Sequence, residues 1–268
     1  MVSNWKHGDV QVGDMIMHYV RTGGKKPALV LAHGFTDNGM CWLPVGQVLS
    51  MDYDVILPDA RGHGLSSRLQ PGERINHAED LAGFIQALGL DQPIVGGHSM
   101  GGVTASMLGA HHPELVRALI LEDPAWVDPL PKAKELRSKD DPWRQWLESL
   151  PSKTVEEVMA KGRADNPTWP EIEMLPWAES KKQLDVNVFR IQDIREDWKE
   201  VARQISMPTL LITGDPDRHA IITPEVAQNV QKWNPMIQVA HIPGVGHNIR
   251  RENFQMYMDA VQAFLKKI

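Results

Sequence analysis

Residues 94–102 read Ile94-Val95-Gly96-Gly97-His98-Ser99-Met100-Gly101-Gly102. An apolar run passes straight into a glycine-flanked serine and then into a helix-forming stretch that extends to His111. A serine at a sharp strand-to-helix turn needs a strained backbone, and glycines two residues to either side remove the Cβ atoms that would collide there. Such a turn lifts the Ser99 hydroxyl above the end of the strand. The first amides of the following helix then face the same space and can hold a developing oxyanion. A glycine-rich turn with an incidental serine is the plain alternative, and the strand-to-helix context argues against it.

Working outward, short apolar runs alternate with helical stretches. Ala28–Ala32, Val55–Leu57, Ile94–Gly97, Ala118–Leu121, Thr209–Thr213 and Ile237–Ile242 read as strands buried on both faces. Helices are expected over His77–Leu88 behind the cap Asn76, over Met100–His111, over Pro224–Trp233 behind Thr223, and over Arg251–Lys267. Val10–Val12 and Met15–Val20, alternating around Gly13-Asp14, read as an antiparallel hairpin at a sheet edge. The alternation implies an α/β domain with a mostly parallel central sheet.

The pattern breaks over 126–194. Beyond Trp126 itself, seven prolines and four tryptophans (Trp143, Trp146, Trp169, Trp177) fall there, with helix starts at Asp141-Pro142 and at the Thr154/Glu157 capping box. A structureless loop of that length is improbable, so the stretch reads as a helical insertion into a core formed by 1–125 and 195–268.

Composition narrows the function classes. The 268 residues carry a net charge of −6 and no basic cluster, which argues against nucleic-acid binding. One cysteine, Cys41, excludes an internal disulfide framework and a multi-cysteine metal site. No Cys/His spacing suits a metal, and no dinucleotide fingerprint is present. No signal-peptide core or run of about 18 apolar residues appears. A cytoplasmic protein that needs no cofactor and spans no membrane is the expectation.

Several blocks together resemble the α/β-hydrolase superfamily, on its esterase and lipase side. Besides the serine turn, these are His33-Gly34-Phe35, Asp59-Ala60-Arg61-Gly62-His63-Gly64-Leu65-Ser66, Gly214-Asp215-Pro216-Asp217 and Gly244-Val245-Gly246-His247. The resemblance runs along nearly the whole chain. It implies an α/β-hydrolase fold with helices on both faces of the sheet and a helical cap over the active site. It also implies that Ser99 is the nucleophile and that the amides of Phe35 and Met100 form the oxyanion hole. Gly96 departs from the more usual aliphatic residue at its position and leaves room behind the turn.

Of eleven histidines, only His247 lies where the family's nucleophile–acid–histidine order requires a base. His33 and His63 read as structural and His241 as packed. For the acid, the family pattern selects Asp217, three residues after Gly214, with Asp215 and Asp123 as alternatives. Phe35, His98, Trp126, Trp143, Trp146, Trp169 and Trp177 are candidates for substrate binding, though any one tryptophan could serve packing alone. Cys41 reads as a buried small hydrophobe.

The expectation is a serine hydrolase of carboxylic esters, with lactones as a further class, acting on small, largely apolar substrates through an acyl-enzyme. A small-molecule receptor with vestigial hydrolysis is the alternative, as is a C–C hydrolase or perhydrolase of the same fold.

Overall fold

A computed structural model describes residues 5–128 and 138–268. The strands, in chain order, are β1 (Lys6–Val12), β2 (Met15–Arg21), β3 (Ala28–Ala32), β4 (Asp54–Pro58), β5 (Arg74–Ile75), β6 (Ile94–His98), β7 (Ala118–Glu122), β8 (Gln192–Asp193), β9 (Thr209–Thr213) and β10 (Ile237–His241). The helices are α1 (Leu43–Leu49), α2 (His77–Ala87), α3 (Met100–His111), α4 (Pro142–Ser149), α5 (Val155–Asp165), α6 (Glu171–Gln183), α7 (Trp198–Gln204), α8 (Pro224–Trp233), α9 (Ile249–Glu252) and α10 (Phe254–Leu265).

Eight strands form one sheet in the order β1-β2-β4-β3-β6-β7-β9-β10. The hairpin β1–β2 is antiparallel and joins β4 antiparallel, while every pairing from β4 to β10 is parallel. Parallel strands are buried on both faces, so alternate residues serve different cores. Leu29 and Leu31 join Trp42, Val45, Tyr257 and Phe264 on the side of α1 and α10. Val30, between them, joins Leu81, Phe84 and Leu108 on the side of α2 and α3.

Helix starts follow their caps. Asn76 accepts from the amides of Ala78 and Glu79, and Thr223 from Val226. The expected continuous helix over Arg251–Lys267 is instead two helices. Asn253 sits at φ −143° and its side chain accepts from the Met256 amide, so it caps α10 anew. Asparagine favours such a cap over a helix interior because its side chain competes for backbone amides.

Between β7 and β9, helices α4 to α6 lie over the C-terminal edge of the sheet. Asp141 caps α4, and Thr154 with Glu157 forms the capping box of α5. A third apolar cluster, including Leu69, Leu147, Val158, Trp177, Val188 and Phe189, joins these helices to the core. The short ladder β5–β8 ties the end of this insertion back to the segment after β4. Within it, residues 129–137 lie outside the described residues, and with them the expected prolines Pro129 and Pro131.

Candidate active site

Ser99 stands between β6 and α3 at φ 53° and ψ −110°, a backbone conformation costly for a residue with a side chain. The turn closes only because its flanks are glycine. A Cβ on Gly97 would lie 2.1 Å from the Gly101 carbonyl oxygen, and one on Gly101 would lie 2.2 Å from that of Ala32. Ser99 is half-buried and lies at the junction of two cavities.

The larger cavity, of about 350 Å³, brings Ser99 together with His98, His247, Phe35, Trp143, Trp146, Trp169 and Trp177. The smaller, of about 160 Å³, is lined by Ser99, Met100, Phe35, Val188, Phe189, Ile191 and, further round, Arg61 and Arg195. Phe35 belongs to both walls. Its ring meets Phe189 edge-on at 5.8 Å and lies 6.0 Å from that of Trp143.

His247 follows β10, and its loop is held at several points. Gly246 donates its amide to Glu252, and Asn248 accepts from the Arg251 guanidinium. The ring Nδ1 of His247 lies 2.6 Å from Asp123 Oδ2, to which it donates. Asp123 is fully buried and also accepts from the amides of Ile221 (2.8 Å) and Ile222 (2.9 Å). Three donors leave this carboxylate little freedom and satisfy a charge that would otherwise be costly to bury.

The acid expectation is therefore corrected: the residue on the His247 ring is Asp123, not Asp217. Asp217 sits exposed on the 3-10 turn Pro216–Arg218. The loop after β9 reaches this site with the backbone amides of Ile221 and Ile222 rather than with a carboxylate. β7 lies between β6 and β9 in the sheet, so the loop after β7 opens beside the serine turn. Pro124 biases Asp123 away from the α region. The residue instead takes φ 39°, a strained value that aspartate tolerates better than most. Asp215 holds the turn, accepting from the Gly244 amide at 2.6 Å.

Two further expectations change. Trp126 does not line either cavity. It stacks on Trp198 at 5.5 Å, donates to Ser106, and belongs to the core under α3. His241 is exposed rather than packed, because β10 is the edge strand. His33 is structural as expected: its Nε2 accepts from the Ala60 amide, and its Nδ1 donates to the Gly34 carbonyl. The Cys41 thiol is buried, and burial pushes its pKa up to about 11, leaving it unreactive.

The larger cavity also has a charged wall that composition and motifs did not reveal. Lys181 of α6 lies 2.7 Å from Asp37, and Arg251 lies 2.9 Å from Asp37 and 3.1 Å from Glu173 of α6. All four side chains are buried. Burial alone would raise the Asp37 pKa, but Arg251, Lys181 and Arg250 hold it well below the usual carboxylate range. Arg250, next in chain, pairs with buried Glu122 at 2.9 Å and lies over the Trp42 ring. A polar signal existed in Asp37 and Arg251 but carried no spacing pattern, since the paired residues stand 78, 144 and 214 positions apart in sequence.

The fold and this arrangement define the class. The sequence pattern of the alpha/beta hydrolase fold matches residues 27–253, and the chain belongs to that family. It is 29% identical to an N-formylmaleamate deformylase of Pseudomonas putida over 96% of both chains. It is also 29% identical to Lipase 1 of Psychrobacter immobilis, over 94% of this chain and 81% of that one. The crystal structure of E-2-(acetamidomethylene)succinate hydrolase superposes with a TM-score of 0.74 at 21% identity, covering 98% and 99% of the two chains. No helix among the described residues is long and apolar enough to cross a membrane.

Proposed function

We propose that this chain is a serine hydrolase of small carboxylic acyl compounds, with Ser99 as nucleophile, His247 as general base and Asp123 as the acid that orients it. The observation that carries the reading is the 2.6 Å contact of Asp123 with His247 Nδ1, in a ring that shares a cavity with Ser99. A carboxylate on Nδ1 fixes the tautomer in which Nε2 is free to take a proton. Ser99 then attacks the acyl carbonyl as His247 removes its hydrogen. The oxyanion collects at the amides of Phe35 and Met100. His247 returns the proton to the leaving group, and water releases the acyl-enzyme by the same steps reversed.

The bond cleaved is a carboxylic ester in the first reading, supported by the relation to Lipase 1. An amide is the second, because the deformylase relative matches over almost the entire chain. Helices α4 to α6 and the turns between them act as the roof, with Trp143, Trp146, Trp169 and Trp177 shaping the larger cavity. Phe35 and His98 line the floor beside Ser99.

A fluorophosphonate probe tests the assignment. It is expected to label Ser99 alone, and Ser99→Ala is expected to abolish both labelling and turnover of a short-chain nitrophenyl ester while leaving the melting temperature unchanged. Labelling at another serine, or full turnover by the variant, would overturn the nucleophile. One product per chain followed by silence would favour the receptor over the enzyme.

A further inference from the structure

The residue before the candidate nucleophile has an arrangement that simple packing does not require. His98 is 4% exposed and ends β6. Its Nε2 donates to the main-chain carbonyl of His247 at 2.9 Å, across 149 residues of sequence. Its ring lies against the His247 ring, with centroids 4.6 Å apart and planes 41° from parallel. Since Nε2 carries the hydrogen, Nδ1 is a bare acceptor, and it is buried with no partner among the described residues. Gly34 makes room for it: a Cβ there would stand 2.7 Å from that nitrogen.

We infer that His98 is a positioning residue, which clamps the His247 loop to the serine turn through its Nε2–H and backs the His247 ring with its own. This rests on the reading of Ser99, His247 and Asp123 as a triad.

Asp123 holds one edge of the His247 ring, but a ring held at one atom can still tilt about that contact. The loop carrying His247 follows β10, while Ser99 follows β6, and two strands stand between them in the sheet. The His98–His247 hydrogen bond spans that gap directly. It fixes the His247 backbone relative to the residue adjoining the nucleophile. Near-attack geometry is sensitive to such placement, and a shift of about 1 Å can cost about 100-fold in rate.

The clamp also needs a neutral ring. A cationic neighbour at 4.6 Å would oppose the charge that His247 acquires when it takes the serine proton. Burial first, and then the facing His247 and Arg250, push the His98 imidazole well below the usual histidine range. Asp37 pulls the other way and Arg251 adds to the depression. The ring therefore remains uncharged at neutral pH, and its bare Nδ1 gains no proton.

Two substitutions separate the clamp from packing. His98→Phe keeps an aromatic ring and removes the donor. His98→Gln removes the ring but places an amide N–H as many bonds from the backbone as the lost Nε2–H. Steady-state turnover, fluorophosphonate labelling rates and melting temperatures would be measured for both. His98→Phe is expected to lower kcat and the labelling rate by about 100-fold, with KM within about twofold and little change in melting temperature. His98→Gln is expected to regain most of the loss. Wild-type rates in His98→Phe, or an equal loss in both variants, would overturn the clamp while leaving labelled Ser99 as the nucleophile. Failure of Ser99 to label in the wild-type chain would overturn the triad and the clamp together.

Discussion

Two loops at the C-terminal edge of the sheet each offer a carboxylate, and they differ in what holds it. Asp123, after β7, is fully buried and receives the His247 ring and two amides. Asp217, after β9, is exposed on a 3-10 turn. β7 and β9 are neighbours in the sheet, so proximity alone does not decide between their loops. The difference teaches that an orienting acid must itself be oriented. A carboxylate in water shares its hydrogen bonds with solvent, whereas one enclosed by three donors presents a fixed lone pair.

The sharpest way to break the comparison is to neutralise each acid in turn. Asp123→Asn is expected to lower kcat by about four orders of magnitude, as loss of the correct tautomer does in a triad. Asp217→Asn is expected to change it by less than about twofold, since isolated surface substitutions do little. Equal losses, or the reverse ranking in a steady-state assay, would end the assignment.

The same contrast extends to stability. Asp37 is buried among Lys181, Arg251 and Arg250, and it joins α6 to the core. Asp37→Asn leaves those cations facing a neutral amide and is expected to cost about 3–5 kcal/mol in urea unfolding. Asp217→Asn should leave the unfolding midpoint where it is. A roof that detached without loss of global stability would appear instead as an unchanged midpoint with faster proteolysis of 138–194.

Acid should probe the buried groups as a set. Burial pushes the pKa values of His33, His63 and His98 below the ordinary histidine value. Below about pH 6.5 the unfolded chain then binds more protons than the folded one, so stability falls as pH falls. Each histidine contributes a slope of at most about 1.4 kcal/mol per pH unit. Asp37 adds its own loss only at lower pH, near and below about pH 4. Urea midpoints measured from pH 8 to pH 5 should show the first decline, and a flat profile would contradict the neutral buried histidines.

Asp215 should give the smallest effect. Its carboxylate accepts the Gly244 amide at a partly exposed site. Asp215→Asn is expected to cost about 1 kcal/mol of stability, with any loss of activity tracking stability. A fall in kcat like that of Asp123→Asn would mean that the turn, and not the buried acid, governs the His247 loop.

How much of this was legible follows from where each signal resides. The serine turn is local: strand, glycines and helix start lie within nine residues, and Gly97 and Gly101 have a steric reason to be glycine. The parallel core could be read because strands buried on both faces are continuous apolar runs. His247 could be chosen because chain order and a loop after the last strand left one place for it. The four cavity tryptophans could be nominated from an insertion that cannot bury its own apolar face.

Other features needed the folded chain. Glu122-Asp123-Pro124 was visible, but its claim over Asp217 rested on which loop turns amides and which turns a side chain towards His247. Those amides belong to Ile221 and Ile222, about 100 residues away, and backbone donors carry no sequence signature. Trp126 looked like its neighbours in the insertion until Trp198 claimed its face. The charges of Asp37, Glu173, Lys181 and Arg251 appeared as ordinary polar residues, because burial of an ion depends on partners brought from distant segments. Local sterics and hydrophobic period are properties of neighbouring residues, so the sequence by itself determined the fold and the serine turn. Hydrogen-bond partners across strands are properties of tertiary approach, so only the tertiary structure decided which carboxylate meets the His247 ring, which charges are buried together and which ring lies against that of His247.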